Sequence, residues 1–147
     1  MPATIDSGAV AKATTEAEIA STFDVMAVLR PHLDRSTYVA AVTRMMMTGF
    51  RLATVRAGGA VVAVAGYRVS ENLAWGRYLY VDDLVTAESA RSHGHGKLLF
   101  EWLKAEARAA GCAELHLDSG VFRHGAHRFY LRERMDITSY HFRLSLT

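Results

Sequence analysis

The stretch that constrains this chain most runs from Arg91 to Leu103, RSHGHGKLLFEWL, where Gly94 and Gly96 punctuate a cluster of basic and histidine side chains. Before it, WGRYLYVDDLVT has the aromatic and β-branched composition of a strand. After it, Leu99, Leu103, Ala107 and Ala110 recur at helical spacing, opposite Lys97, Glu101, Lys104 and Arg108, and Gly111 supplies a stop. A helix that begins this way presents unpaired backbone N–H groups and a partial positive charge to whatever lies in front of it. Gly94 and Gly96 let an anion approach the backbone closely. Around them Arg91 offers a forked donor, Lys97 a point charge, and His93 and His95 donors that strengthen on protonation. The segment is a candidate phosphate cradle between a strand and a helix.

Its spacing is not that of the familiar nucleotide loops. The dinucleotide fingerprint needs a third glycine where this chain has Leu99, and the phosphate-binding Walker loop needs glycine at Arg91 and Ser or Thr at Leu98.

The remaining segments assemble an α/β order. Thr15 and Glu18 fit a capping box, and Ile19, Phe23 and Met26 predict one helix that ends before Pro31. A second helix is expected over Ser36 to Met47, with Tyr38, Val42 and Met45 on one face. FRLATVRA and AVVAVAGYRV read as a hairpin about Gly58-Gly59, and a turn near Ser70 to Asn72 leads into the strand before the loop. CAELHLDSG predicts a short strand, GAHRFYLRERM a short helix and ITSYHFRLSL a terminal strand. The order ααββ, βα, βα, β implies a sheet with at least one parallel crossover.

Composition then limits the partners. A chain of 147 residues, half of them hydrophobic, is expected to be a single domain spanning 1–147 with a core that needs no metal or disulfide staples. A net charge of +2 argues against a nucleic-acid wrapper. Cys112 is the one cysteine, and no apolar run is long enough to cross a bilayer, so a cytoplasmic protein without a membrane partner is expected. Seven histidines raise a metal site, with His93, His95, His124 and His127 as donors, but neither an HExxH motif nor a cysteine pair accompanies them, and no metal is expected.

The pattern R-x-x-G-x-G after DLVT and before a helix resembles the pyrophosphate loop of the GCN5-related N-acetyltransferase (GNAT) family. Ala126 and Tyr130 in AHRFYLRERM match the A-x-x-x-Y of that family's later helix, and the resemblance covers most of Phe50 to Leu146. It implies a GNAT-like mixed α/β fold, a twisted central sheet of about six to seven strands flanked by about four helices and splayed at a cofactor cleft. It implies acetyl-coenzyme A as co-substrate, with Arg91, Ser92, His93, Gly94, His95, Gly96 and Lys97 around the phosphates, Leu84 and Val85 along the pantetheine, and Ala126 in the cofactor site. A homodimer is also implied. The chain departs from the family at Arg123, where Asn is frequent, at Met135-Asp136, where Gly-Phe is frequent, and at Glu88, where proline is common.

Acetyl transfer to a primary amine needs a base, because at neutral pH only about one alkylammonium in a thousand is deprotonated. Asp82 and Asp83 are adjacent in the strand before the loop, so a regular strand turns only one of them to the cleft, and a local bulge decides which. By resemblance to the polyamine acetyltransferase branch, Asp82 is the expected base or water relay and Asp83 the second candidate. Tyr130 is the expected general acid for the leaving thiolate. Direct attack without a covalent intermediate follows from the lack of a cysteine near the loop. The two acidic residues suggest a cationic amine, on a small molecule or a peptide. Two other readings remain: a non-catalytic acyl-coenzyme A sensor, and another phosphate-binding enzyme.

Overall fold

The computed structural model describes the backbone of residues 5–147 and the side chains from Val10 onward. Its five-stranded sheet has the order β1-β2-β3-β4-β5, formed by β1 (Ile5–Ala13), β2 (Arg51–Ala57), β3 (Ala60–Asn72), β4 (Gly76–Thr86) and β5 (Glu114–Leu117). The first four strands pair antiparallel in succession. Helices α1 (Glu16–Ala20), α2 (Phe23–Leu29) and α3 (Arg35–Met46) precede β2, α4 (His95–Ala109) joins β4 to β5, and α5 (His124–Arg132) follows β5. The chain divides into two compact units, one ending at His116 and the other comprising Leu117–Thr147.

In the first unit the sheet is covered on both faces. Ile19, Val25, Met26, Tyr38 and Val42 of α1–α3 pack with Phe50, Leu52, Val64 and Val85 in one core. On the other face α4 buries Leu99, Phe100, Leu103 and Ala107, while Tyr67 of β3 meets Trp102 edge to face at 5.9 Å. A fully buried leucine is worth about 1.5–3 kcal/mol, so Leu99 and Leu103, both 0% exposed, hold α4 and therefore its first turn in place.

β4 changes faces part-way along. Tyr67 lies opposite Val81 but Gly66 lies opposite Asp83, so one extra residue, Asp82, bulges out of β4. Before the bulge Leu79 and Val81 share the α4 face with Tyr67; after it Asp83 and Val85 share the α1–α3 face with Gly66 and Val64. Gly66 is required there, since a Cβ would stand 2.5 Å from Asp83 Oδ2 and 2.6 Å from the Phe50 ring.

Several sequence expectations are corrected. The sheet has five strands among the described residues rather than six to seven, and there are five α-helices rather than four. The helix expected from Thr15 to Pro31 is two, because Ser21 Oγ and Thr22 Oγ1 donate to the carbonyls of Glu18 and Ile19 and the chain turns there. The capping box of Thr15 and Glu18 forms as expected. The β3–β4 turn lies at residues 73–75, fixed by Asn72 Oδ1 accepting from Trp75 N at 2.7 Å. β1 was not anticipated; alanine and glycine give it little strand propensity, and pairing with β2 supplies the structure. The terminal strand expected over 137–146 is absent: Ile137, Tyr140, Phe142 and Leu144 alternate as a strand would, but the segment is exposed and has no ladder partner among the described residues.

Candidate active site

The loop after β4 begins with a short 3-10 turn, Glu88–Ala90, whose Ala90 is buried and anchors it. Arg91, Ser92, His93 and Gly94 follow, all exposed, with Ser92 and Gly94 in the left-handed region at φ 67° and 81°. Gly94 is the N-cap of α4, and its carbonyl accepts from Leu98 N at 3.0 Å. Having no side chain, it gives the first turn of the helix no side-chain cap. A Cβ at Gly94 would meet nothing within 4 Å, so the space beside the N-cap is open. Gly96 is tighter, its Cβ position 3.6 Å from Thr86 Oγ1. Lys97 is exposed and ion-paired with Glu101 at 3.8 Å.

His95 departs from expectation. It is only 3% exposed, burial and the neighbouring His93 lower its pKa, and its Nδ1 has no hydrogen-bond partner among the described residues. It is therefore neutral near pH 7 and offers the loop no cationic side chain.

Leu84 and Val85 sit on β4 opposite Ala65 and Val64. β5 starts beside Arg77, where Ala113 N donates to Arg77 O at 3.1 Å, and it has four residues. At about 3.3 Å per residue it ends short of Leu84. Alternate backbone groups of β4 beyond that point face away from β3.

The bulge settles the orientation of the acidic pair in an unexpected way. Both carboxylates turn to the α1–α3 face, and both meet an arginine. Arg68 donates from Nε and Nη2 to Asp82 Oδ2 at 3.2 and 3.0 Å. Arg30, at the end of α2, donates from Nε to Asp83 Oδ1 at 2.9 Å and from Nη2 to the Asp82 carbonyl at 3.0 Å. Burial pushes the Asp83 carboxyl above the ordinary value; the Arg30 bond and charge oppose that, and Asp82 adds to it. Beside this cluster is a cavity of about 220 Å³ between α2, α3 and β4, whose lining includes Met26, Arg30, Val42, Phe50 and Asp83.

In the second unit, Ala126 and Tyr130 lie one turn apart on the same side of α5. Burial raises the Tyr130 phenol above its ordinary value, and Arg123 opposes this through its charge and a side-chain hydrogen bond. The phenol keeps its proton at neutral pH.

Residues 23–135 match the family model described as Acetyltransferase (GNAT) family. The chain belongs to the GNAT family. A Bacillus subtilis relative, the uncharacterized N-acetyltransferase YhdJ, is 34% identical over 133 residues, covering 88% of this chain and 93% of that one. The aminoalkylphosphonate N-acetyltransferase of Salmonella typhimurium is 40% identical over 53 residues, only 36% of this chain and 34% of its own length. Among solved structures, the aminoglycoside N-acetyltransferase AAC(6')-Iy in complex with CoA superposes with a TM-score of 0.82 at 11% identity, over 99% of this chain and 96% of that one, which is a likeness of fold.

Within this GNAT chain, Arg30, Arg68 and the cavity beside them were missed from sequence. Arg30 is 53 residues from Asp83, and no spacing rule connects them. Arg68 gave a faint signal, as a charged residue in an otherwise apolar strand segment. Among the described residues no group of three or more His, Cys, Asp or Glu is arranged to hold a metal, and no helix is long and apolar enough to cross a membrane.

Proposed function

We propose that the chain transfers the acetyl group of acetyl-coenzyme A to a primary amine by direct attack, the whole of 1–147 acting as one catalytic domain. The observation that carries this reading is the uncapped start of α4, open in front of Gly94 and immediately beyond the β4 edge. Those backbone N–H groups fit a pyrophosphate, with Arg91, Ser92, His93 and Lys97 at the rim and Gly96 allowing close approach. Leu84 and Val85 offer backbone groups to the pantetheine arm, and Ala126 gives a small surface beside the cofactor. Acetyl-coenzyme A supplies the thioester.

Asp82 is the water relay. Its Oδ2 is occupied by Arg68 and the side chain is 23% exposed, so Oδ1 can orient a water that takes a proton from the acceptor's ammonium and passes it to the carboxylate, freeing the neutral amine to attack. Asp83 is more enclosed, at 13%, and orients Arg30 and the acceptor. As the C–N bond forms and the C–S bond breaks, Tyr130 gives its proton to the departing sulfur, and the proton that the new amide nitrogen sheds restores the phenol through solvent. A cytoplasmic homodimer is the form expected of such an enzyme.

One observation favours the sensor reading: both carboxylates already hold guanidinium partners. Calorimetry with coenzyme A, followed by thiol release from acetyl-coenzyme A with a panel of amines, separates the readings. Binding with amine-dependent turnover is expected. Binding without turnover makes the chain a sensor, and a folded protein that ignores coenzyme A at millimolar concentration overturns the proposal.

A further inference from the structure

The charges of the cavity beside β4 are unevenly committed. Asp34, at its rim, caps α3 by accepting from Ser36 N and Oγ, both at 2.8 Å. Asp83 Oδ1 is taken by Arg30 and Asp82 Oδ2 by Arg68. Asp82 and Asp83, whose charges suggested a cationic acceptor, are therefore each paired with an arginine within the protein, while Asp34 keeps its charge at the rim, held by the first turn of α3.

Arg30 is different. A guanidinium has five N–H donors in two fork-shaped edges. Its Nε and Nη2 edge grips β4 through Asp83 Oδ1 and the Asp82 carbonyl, while Nη1 makes no hydrogen bond among the described residues. The side chain is 43% exposed and lines the cavity. Its second edge, Nη1 with the remaining Nη2 hydrogen, is thus left over at a cavity lined mainly by Met26, Leu33, Val42, Met45 and Phe50, with Thr37 and Tyr38 among them. His32 stands at the same rim as a further donor. A fixed donor fork over an apolar pocket matches a carboxylate or phosphonate on a short alkyl chain.

We infer that this cavity is the acceptor site and that it selects an amine carrying an anionic group, which the outer edge of Arg30 binds. The inference rests on the acetyltransferase reading for the fate of the amine, but the recognition itself is a binding event. The ammonium end of such a molecule is left for the Asp82 side of the cluster, and the apolar walls take the methylenes.

The test compares four amines of similar length, β-alanine, 2-aminoethylphosphonate, propylamine and 1,3-diaminopropane, by calorimetry with the full chain, alone and saturated with coenzyme A. Affinity for at least one of the two anionic amines is expected to exceed that for propylamine by about tenfold or more, the order of one charge-assisted pair. Carboxylate and phosphonate are told apart by which arm binds. Arg30→Gln should abolish the difference between the anionic amines and propylamine, and Arg30→Lys, which keeps the charge without the fork, should retain part of it. If Arg30→Gln does not fold, as judged by circular dichroism, Arg30→Lys carries the comparison. Equal binding of all four amines, preference for the diamine, or an equal loss for all four in the variants overturns the inference. Failure of the acetyltransferase reading shows separately, as absence of turnover with every amine.

Discussion

The loop at the head of α4 and the carboxylate cluster on β4 are separated by a few residues of one strand, yet they are specified in opposite ways. The loop is local: a buried Ala90 and two left-handed residues, Ser92 and the N-cap Gly94, shape the start of α4 within eight residues of chain. The cluster is assembled from afar, since Arg30 crosses from α2 to reach Asp83 and Arg68 crosses from β3 to reach Asp82. A backbone site survives changes to its side chains as long as φ and ψ are kept. A paired-charge site depends on every partner, because a buried carboxylate left alone bears its full desolvation cost.

That contrast can be broken most forcefully at Gly94. Gly94→Val places a β-branched side chain at φ 81° and fills the space before the helix, so coenzyme A affinity should fall by on the order of a hundredfold, measured by calorimetry. Gly96→Ala, with only an ordinary contact at 3.6 Å, should leave the fold intact. Unchanged affinity in Gly94→Val would mean that the loop is not the binding surface. Tyr130→Phe asks whether chemistry depends on a group outside both regions: turnover should drop by about a hundredfold, in the range of general acid catalysis, with coenzyme A affinity retained. Equal turnover removes the phenol from the mechanism.

Smaller effects sharpen the cluster. Asp82→Asn should lower turnover by roughly tenfold, and most at low pH where the amine is charged; a pH-independent loss points to a packing role for Asp82. Gly66→Ala forces a methyl against Phe50 and Asp83 and should destabilise the fold by about 1–3 kcal/mol in a denaturant titration. The smallest change is the pH dependence of Asp83. Because burial raises its pKa above 3.8, the native state holds this proton more tightly than the unfolded chain, and the group's contribution to stability falls as pH rises from about 3.8 through the native value. The melting temperature of Asp83→Asn should therefore rise relative to that of the wild type between pH 4 and neutrality; a relative fall would show Arg30 outweighing burial.

Where a feature was legible, its cause was short-range. Gly94 and Gly96 before a periodic apolar stripe identified α4, and the observed helix, His95–Ala109, agrees with the expected end near Ala110. The Gly58-Gly59 hairpin was equally plain, with Ala57 pairing Ala60 across it. The features that misled were those in which local pattern met a tertiary decision. Residues 137–146 alternate like a strand but have no ladder partner among the described residues, β1 pairs without a strong pattern, and His95 reads as a surface cation but is buried beneath the loop.

By itself, the amino-acid order determined the succession of elements from α3 through α5, the glycine-capped helix and the family to which they point, because hydrophobic periodicity and backbone freedom act over one or two turns. Only the tertiary structure decided that Asp82 and Asp83 share a face and that each meets a guanidinium. A single bulge opposite the Gly66–Tyr67 step reverses the face of every later residue in β4, and whether a strand bulges depends on what its neighbour and the helices above it leave room for.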